Sequence, residues 1–208
     1  MLTQLLVTRR ALIVGAGAAL AVPQALAANP TPRQTEGPFY PTDWLGDADN
    51  DLVVVRGEAT RALGQVAHIT GRVLDAAGRP VSGALVEIWQ CDAHGRYRHP
   101  GDVTLYSTAR DEGFQGRGRM PTGGDGSYRF RTIRPVAYAG RAPHIHFRVK
   151  RANREVLTTQ LYVAGDPLNE RDGLYMRERD RAALTAAFLP ANGIEQGALA
   201  ASFDVFLA

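Results

Sequence analysis

The chain has 208 residues, of which 45% are hydrophobic and 22% are charged, a composition typical of a globular protein rather than a disordered or fibrous one. The formal net charge is +3 and no basic run follows the first 27 residues, so we expect no nucleic-acid partner. The presence of one cysteine, Cys91, excludes an internal disulfide framework.

Residues 1–27 have the features of an export signal. Arg9 and Arg10 precede an apolar stretch over 11–22, and the small residues at 25–27 suit a cleavage site. The paired arginines favour the twin-arginine route, although an ordinary secretory signal can carry the same pair. Twelve apolar residues are fewer than the roughly 20 that span a bilayer, so we expect no stable membrane anchor. We therefore predict a periplasmic or secreted protein with one domain over 28–208.

The chain beyond the signal is predicted to be a series of strands. Residues 28–54 are rich in proline, aspartate and glycine and lack a helical period, which indicates an extended arm laid over the domain. Strand patterns then recur at short intervals, and the glycine-rich stretch 123–126 marks a hairpin turn. The predicted strands are Val66–Leu74, 84–90, Ser127–Ile133, His144–Arg151, 156–163 and 203–207. One short C-terminal helix is expected over 177–188, so the predicted fold class is an all-β sandwich of mixed and antiparallel strands.

The sharpest chemical signal is the segment 143–147 (PHIHF). Alternate side chains of a strand share a face, so His144 and His146 point the same way, with Cα atoms about 7 Å apart. The apolar residues between and after them point to the other face and anchor the strand in the core. Two imidazoles in this arrangement can bind one metal ion, although a His-x-His pair alone is also compatible with a polar, solvent-facing strand.

The other available donors narrow the choice of metal. Cys91 alone cannot build a sulfur site, no HExxH helix motif is present, and no carboxylate stands close to His144 in the sequence. Tyr97 and Tyr138 lie in neighbouring segments, although each taken singly is more readily a structural residue. A phenolate is a hard, anionic donor that suits Fe(III) better than Zn(II) or Cu(I).

Five features occur in a characteristic order along the chain. They are 35–40 (TEGPFY), 71–97, 131–135 (RTIRP), Tyr138 and 143–147 (PHIHF). In this order they resemble the intradiol ring-cleavage dioxygenases, and within that family the protocatechuate 3,4-dioxygenase type. The resemblance implies a non-haem Fe(III) centre whose ligands are Tyr97, Tyr138, His144 and His146. It also places Arg141 and Gln160 in the active site, and makes Tyr138 the ligand that leaves the iron when substrate binds.

The same resemblance implies the reaction. An enzyme of this family inserts both atoms of O2 into a catechol-type ring and gives a cis,cis-muconate-type diacid, so the expected partners are a catechol and O2. Only five residues separate Tyr138 from His144, fewer than in the protocatechuate type, which leaves the particular catechol open. A more open pocket, or one completed by another chain of a homo-oligomer, is compatible with this short loop.

Two other interpretations remain open from the sequence. An exported, non-catalytic β-sandwich that binds a ligand would contain no iron and would not depend on His144. A different metalloenzyme on the same scaffold, such as a zinc hydrolase, would be colourless and contain zinc.

Overall fold

A computed structural model describes residues 29–102 and 109–208, so the predicted export signal over 1–27 lies outside the described residues. Within the described ranges the chain forms ten strands and one short α-helix. No helix in these ranges is long and apolar enough to cross a membrane. The elements are β1 (Val66–Leu74), β2 (Leu85–Trp89), β3 (Arg117–Pro121), β4 (Ser127–Ile133), β5 (His144–Arg151), β6 (Arg154–Val163), α1 (Gly173–Arg177), β7 (Thr185–Ala186), β8 (Leu189–Pro190), β9 (Leu199–Ser202) and β10 (Val205–Phe206).

The strands form two five-stranded sheets, which confirms the all-β prediction. In the first sheet β1 pairs antiparallel with β4 on one side and parallel with β9 and β10 on the other, and β8 lies beyond β9. The second sheet has the order β3-β2-β5-β6-β7, with antiparallel pairs except for the parallel pair of β6 and β7. The mixture of parallel and antiparallel pairs also agrees with the predicted class.

The core between the sheets fixes the orientation of β5. Ile145, Phe147 and Val149 are fully buried and belong to one apolar cluster with Ile69 of β1 and Phe130 of β4. Each fully buried side chain of this size contributes about 1.5–3 kcal/mol to stability, so a one-residue slip of β5 would be costly. The alternate residues of β5, including both histidines, are therefore held on the opposite face.

The opposite face of β5 is covered by the predicted arm, whose described part, 29–54, contains no helix. Gly37 lies against His146, and the Arg148 guanidinium lies 3.9 Å from the centre of the Tyr40 ring. Antiparallel sheets commonly leave one face in water, whereas this strand is buried on both faces. The solvent-facing alternative for the His-x-His strand is thus wrong.

The predicted C-terminal helix is misplaced. The helix α1 ends at Arg177, where the prediction begins, and residues 177–188 instead contain a 3-10 turn (Arg181–Leu184) and β7. The Ala164 amide donates to the Ala186 carbonyl at 2.9 Å, within the parallel pairing of β6 and β7. This long-range pairing outweighs a helical spacing that only a few apolar residues support.

The remaining differences from the prediction concern strands that were not predicted, one turn and the length of three strands. Four strands were not predicted, namely β3 and the short β7, β8 and β9. The β3 sequence RGRMP lacks the β-branched and aromatic residues typical of strands. The turn at 123–126 forms as predicted, but it joins β3 and β4, which belong to different sheets, so it is not a hairpin. The predicted strands 84–90, 156–163 and 203–207 correspond to β2, β6 and the shorter β10.

Candidate metal centre

Two imidazoles project side by side from β5. Nε2 of His144 lies 3.1 Å from Nε2 of His146, and both residues are 1% exposed. Nδ1–H of His144 donates to the Ala142 carbonyl oxygen at 2.6 Å, which leaves the lone pair of the neutral ring on Nε2. Burial lowers the pKa of His144 to about 4 and the pKa of His146 well below its usual range. Both rings are therefore neutral at pH 7 and can bind a metal without first losing a proton.

The Tyr97 side chain completes the inner wall of this site. Its ring centre lies 6.1 Å from that of His146 and 5.0 Å from that of Tyr138. Its hydroxyl is buried and makes no hydrogen bond of good geometry to the described residues, although the Tyr138 hydroxyl lies near enough to influence it. Burial, reinforced by the neighbouring Cys91 and Tyr138, raises the pKa of this phenol well above its usual value. An unpaired buried hydroxyl costs about 1–3 kcal/mol, and a bound cation would satisfy its oxygen.

Tyr138 lies at the outer side of the site, on a tight turn. The Arg141 amide donates to the Tyr138 carbonyl at 2.8 Å, and Ala139 and Gly140 have φ values of 45° and 79°. Two consecutive left-handed residues are typical of a type I′ turn. The Tyr138 ring lies 5.5 Å from that of His144 and is partly exposed, whereas Tyr97 is buried. Of the two tyrosines, Tyr138 therefore has the greater freedom to move.

Stacking holds the ring of His146. The indole of Trp89, its cross-strand neighbour, is nearly parallel to it at 4.7 Å and 7°. A Cβ atom on Gly37 would lie 3.3 Å from Cε1 of His146, so the arm closes over the same imidazole. Nδ1 of His146 has no hydrogen-bond partner among the described residues. The two histidines are thus oriented by different means, His144 by a hydrogen bond and His146 by packing.

Arg141 and Gln160 are directly hydrogen-bonded. Nη2 of Arg141 donates to Oε1 of Gln160 at 2.7 Å and to the Tyr162 hydroxyl at 3.0 Å. Nε2 of Gln160 donates to the carbonyl of Thr35 in the arm at 2.9 Å. The structure therefore brings both predicted residues to the site and places the Gln160 amide between Arg141 and the arm.

One charged residue of the site, Asp172, was not predicted from the sequence. Its carboxylate accepts from Nε of Arg141 at 2.8 Å and from the Ala142 amide at 2.9 Å, so a carboxylate does lie close to His144 in space. An aspartate at a helix N-cap is recognisable from sequence. Its proximity to a residue about 30 positions earlier is not, because only the tertiary fold brings the two together.

The assembled donor set consists of two imidazoles and two phenols. In the described ranges, no three His, Cys, Asp or Glu side chains form a group that could hold a metal ion. The described residues thus do not form a zinc site of the usual composition. Hard phenol oxygens together with imidazoles fit ferric iron, and the unpaired Tyr97 hydroxyl supports that fit.

Comparison with known proteins finds a matching family model and similar proteins that are named as dioxygenases. The model of the family described as Dioxygenase matches residues 35–208. The protocatechuate 3,4-dioxygenase beta chain of Burkholderia cepacia is 38% identical over 187 residues, which cover 84% of this chain and 78% of that protein. Catechol 1,2-dioxygenase 1 of Acinetobacter lwoffii is 34% identical over 164 residues, which cover 70% of this chain and 50% of that protein.

Solved structures agree with these relatives. The dioxygenase domain of a dioxygenase carbohydrate-binding protein fusion from Streptomyces sp. SirexAA-E superimposes with a TM-score of 0.67 at 34% identity, covering 86% of this chain and 98% of that one. Catechol 1,2-dioxygenase from Acinetobacter sp. ADP1 gives a TM-score of 0.65 at 27% identity, covering 87% of this chain and 63% of that one. This chain belongs to the intradiol ring-cleavage dioxygenase family.

Proposed function

We propose that this enzyme is a non-haem Fe(III)-dependent dioxygenase that inserts both atoms of O2 into a catechol-type ring. The bond between the two hydroxyl-bearing carbons breaks, each of these carbons gains one oxygen atom, and the product is a cis,cis-muconate-type diacid. Relatives of the chain are named for protocatechuate, catechol and hydroxyquinol, all of which carry adjacent ring hydroxyls. The observation that supports this proposal most directly is that two neutral imidazoles lie together with two tyrosines, one of which has an unpaired buried hydroxyl.

The proposed iron ligands are Tyr97, Tyr138, His144 and His146. When bound, ferric iron supplies Lewis acidity toward a chelated catechol and a template for its reaction with O2. With iron bound, Tyr138, the more exposed tyrosine, would be present as the phenolate, and its Oη would take up one catechol proton as substrate enters. Tyr97 keeps its place because it is enclosed on all sides.

Arg141 supplies the positive charge of the site. Its Nε and Nη2 atoms are held by Asp172, Gln160 and Tyr162. Burial raises the pKa of Tyr138, and the nearby Arg141 charge opposes that rise. Burial and the same charge both lower the pKa of His144, so the guanidinium is close enough to act on the site. A fixed cation of this kind stabilises negative charge that develops on the ring during cleavage. Gln160 acts mainly by holding Arg141.

Isotope labelling tests the reaction directly. Under ¹⁸O2 the purified mature protein should consume one O2 for each catechol, and mass spectrometry should find two labelled oxygens in the diacid. A yellow semialdehyde product would contradict intradiol cleavage. Absence of O2 uptake with catechol, protocatechuate and hydroxyquinol would contradict the proposal and favour an exported ligand-binding module.

We propose in addition that the protein is exported by the twin-arginine route. The support is the pair Arg9 and Arg10 before a short apolar stretch. Replacing both arginines by lysine in the full chain should retain the protein in the cytoplasmic fraction. Unchanged export of this variant would contradict the twin-arginine route and indicate an ordinary secretory signal.

A further inference from the structure

One buried carboxylate connects several parts of the site. Asp172 is 1% exposed, and each of its two oxygens accepts two N–H groups. Oδ1 accepts from the amides of Leu174 at 2.9 Å and Tyr175 at 3.3 Å, which begins α1. Oδ2 accepts from Nε of Arg141 at 2.8 Å and from the Ala142 amide at 2.9 Å. The carboxylate therefore ties the short helix to the loop that precedes β5.

The Ala142 residue transmits this contact to a proposed iron ligand. Its amide donates to Asp172, and its carbonyl accepts Nδ1–H of His144 at 2.6 Å. Because that hydrogen bond leaves the His144 lone pair on Nε2, the position of the Ala142 backbone sets both the tautomer and the ring orientation. The same carboxylate thus acts on a cationic side chain and on a ligand.

The other contacts of Arg141 leave its guanidinium little freedom. Nη2 is shared between Gln160 and Tyr162, and Nε is held by Asp172. Loss of the contact at Nε would free the plane of the guanidinium to rotate about the remaining contacts. The orientation of the Arg141 guanidinium therefore depends on Asp172.

We propose that Asp172 is a positioning residue of the dioxygenase. It fixes the Arg141 guanidinium and, through Ala142, the His144 imidazole, and it acts through these groups rather than on the substrate. This inference rests on the proposed function for its catalytic consequence, whereas its geometric consequence can be measured independently.

The variant Asp172→Asn separates this role from helix capping. Asparagine caps helices as well as aspartate does, so its amide oxygen can keep the two contacts that begin α1. Its amide nitrogen would then face the N–H groups of Arg141 and Ala142, and two donors cannot satisfy each other. We expect kcat/KM for catechol to fall by about 10- to 100-fold, mainly through kcat, with iron retained.

A matched control exists in the same segment. Asp166 caps the 3-10 turn Pro167–Arg171 by accepting from the Leu168 amide, and it pairs with Arg134 at 3.4 Å. It contacts none of the proposed ligands, so Asp166→Asn should leave kcat/KM unchanged. A double variant gives a second control: in an Arg141→Lys background, Asp172→Asn should lower kcat much less than it does alone, because the two residues act as a unit.

Nuclear magnetic resonance tests whether Asp172 holds the Arg141 guanidinium, independently of catalytic turnover. If the purified protein contains iron, the iron is first replaced by diamagnetic Ga(III). The solvent exchange of the Arg141 Nε–H is then measured from its resonance. This hydrogen should exchange slowly with solvent in the wild type and about tenfold faster or more in Asp172→Asn. Wild-type exchange and wild-type kcat/KM in the variant would overturn the positioning role while leaving the dioxygenase intact. Faster exchange in Asp172→Asn than in the wild type, together with a wild type that lacks oxygenase activity, would instead refute the proposed function alone.

Discussion

At the scale of single residues, the two tyrosines differ in what surrounds their hydroxyls. Tyr97 has a buried hydroxyl without a partner in the described residues, whereas Tyr138 is partly exposed beside Arg141. A buried polar group without a partner is destabilising, and proteins retain such groups where function requires them. The free energy lost at Tyr97 without metal would be recovered when its oxygen binds a cation.

Replacing Tyr97 should have opposite effects on the stability of the metal-free protein and on iron binding. In metal-free protein, Tyr97→Phe should raise the free energy of unfolding by about 1 kcal/mol, because an unsatisfied hydroxyl is removed. In the same variant, iron content after dialysis should fall sharply. Urea unfolding and metal analysis measure the two effects.

The matched control is Tyr128, another buried tyrosine. Its hydroxyl donates to the carbonyl of Phe203, so Tyr128→Phe should lower the free energy of unfolding by about 1 kcal/mol and leave iron binding unchanged. If Tyr97→Phe destabilised the metal-free protein as Tyr128→Phe does, the Tyr97 hydroxyl would have a structural partner and the argument would be wrong.

At the scale of elements, the arm is part of the site. Its Thr35 carbonyl accepts from Gln160, and Gly37 lies against His146 with φ at +73°. A side chain at Gly37 would meet the imidazole as well as a strained backbone. The arm therefore does more than cover β5, since it limits where the His146 ring can lie.

A pair of glycine substitutions tests this role. Gly37→Ala should lower stability by about 1–2 kcal/mol through backbone strain and should also displace His146, with weaker iron retention and a shifted visible spectrum. Gly46→Ala, in the same arm, has φ at +71° and open space around its Cβ position, so it should show the strain alone. Equal iron retention in the two variants would contradict the contact with His146.

The elements also show how far a sequence can predict this fold. Val66–Leu74 and His144–Arg151 are predicted to the residue because alternation and β-branched side chains mark them clearly. β3 was missed because pairing with β2 rather than its own composition makes it a strand. The position of α1 was missed although its N-cap, Asp172, directly precedes it in the sequence. The proposed ligands come from local motifs and from the family resemblance, whereas Asp172 and the arm contacts join residues far apart in sequence.

At the scale of the whole molecule, one charged cluster joins the arm, the first sheet and the segment before β9. Arg131 of β4 donates to both oxygens of Glu195 at 2.8 and 2.7 Å and pairs with Asp51 of the arm at 3.1 Å. His68 of β1 lies 3.0 Å from the same Glu195 carboxylate. Hydrogen bonds from Arg131 lower the pKa of Glu195 to about 2.

This shift predicts how stability depends on pH. Because the folded pKa of Glu195 lies below its ordinary value of 4.5, its contribution is complete above pH 4.5 and is lost as pH falls toward about 2. Glu195→Gln should lower the free energy of unfolding by about 1–2 kcal/mol at pH 7 and flatten its fall between pH 5 and 2. Urea unfolding across this pH range measures the effect.

Glu112 provides the control, since its ion pairs with Arg98 and Arg110 are more exposed. Glu112→Gln should change the free energy of unfolding by less than about 1 kcal/mol. A loss in Glu195→Gln no larger than in Glu112→Gln would contradict the structural importance of the cluster.

The visible absorption spectrum of the purified mature protein tests the central claim, a ferric centre with tyrosine ligands. We predict a red-brown protein with a broad tyrosinate-to-iron charge-transfer band, which shifts when catechol is added in the absence of O2. His146→Ala should lose both the iron and the band. A protein that stays colourless after reconstitution with iron would contradict the assignment of Tyr97 and Tyr138 as ligands.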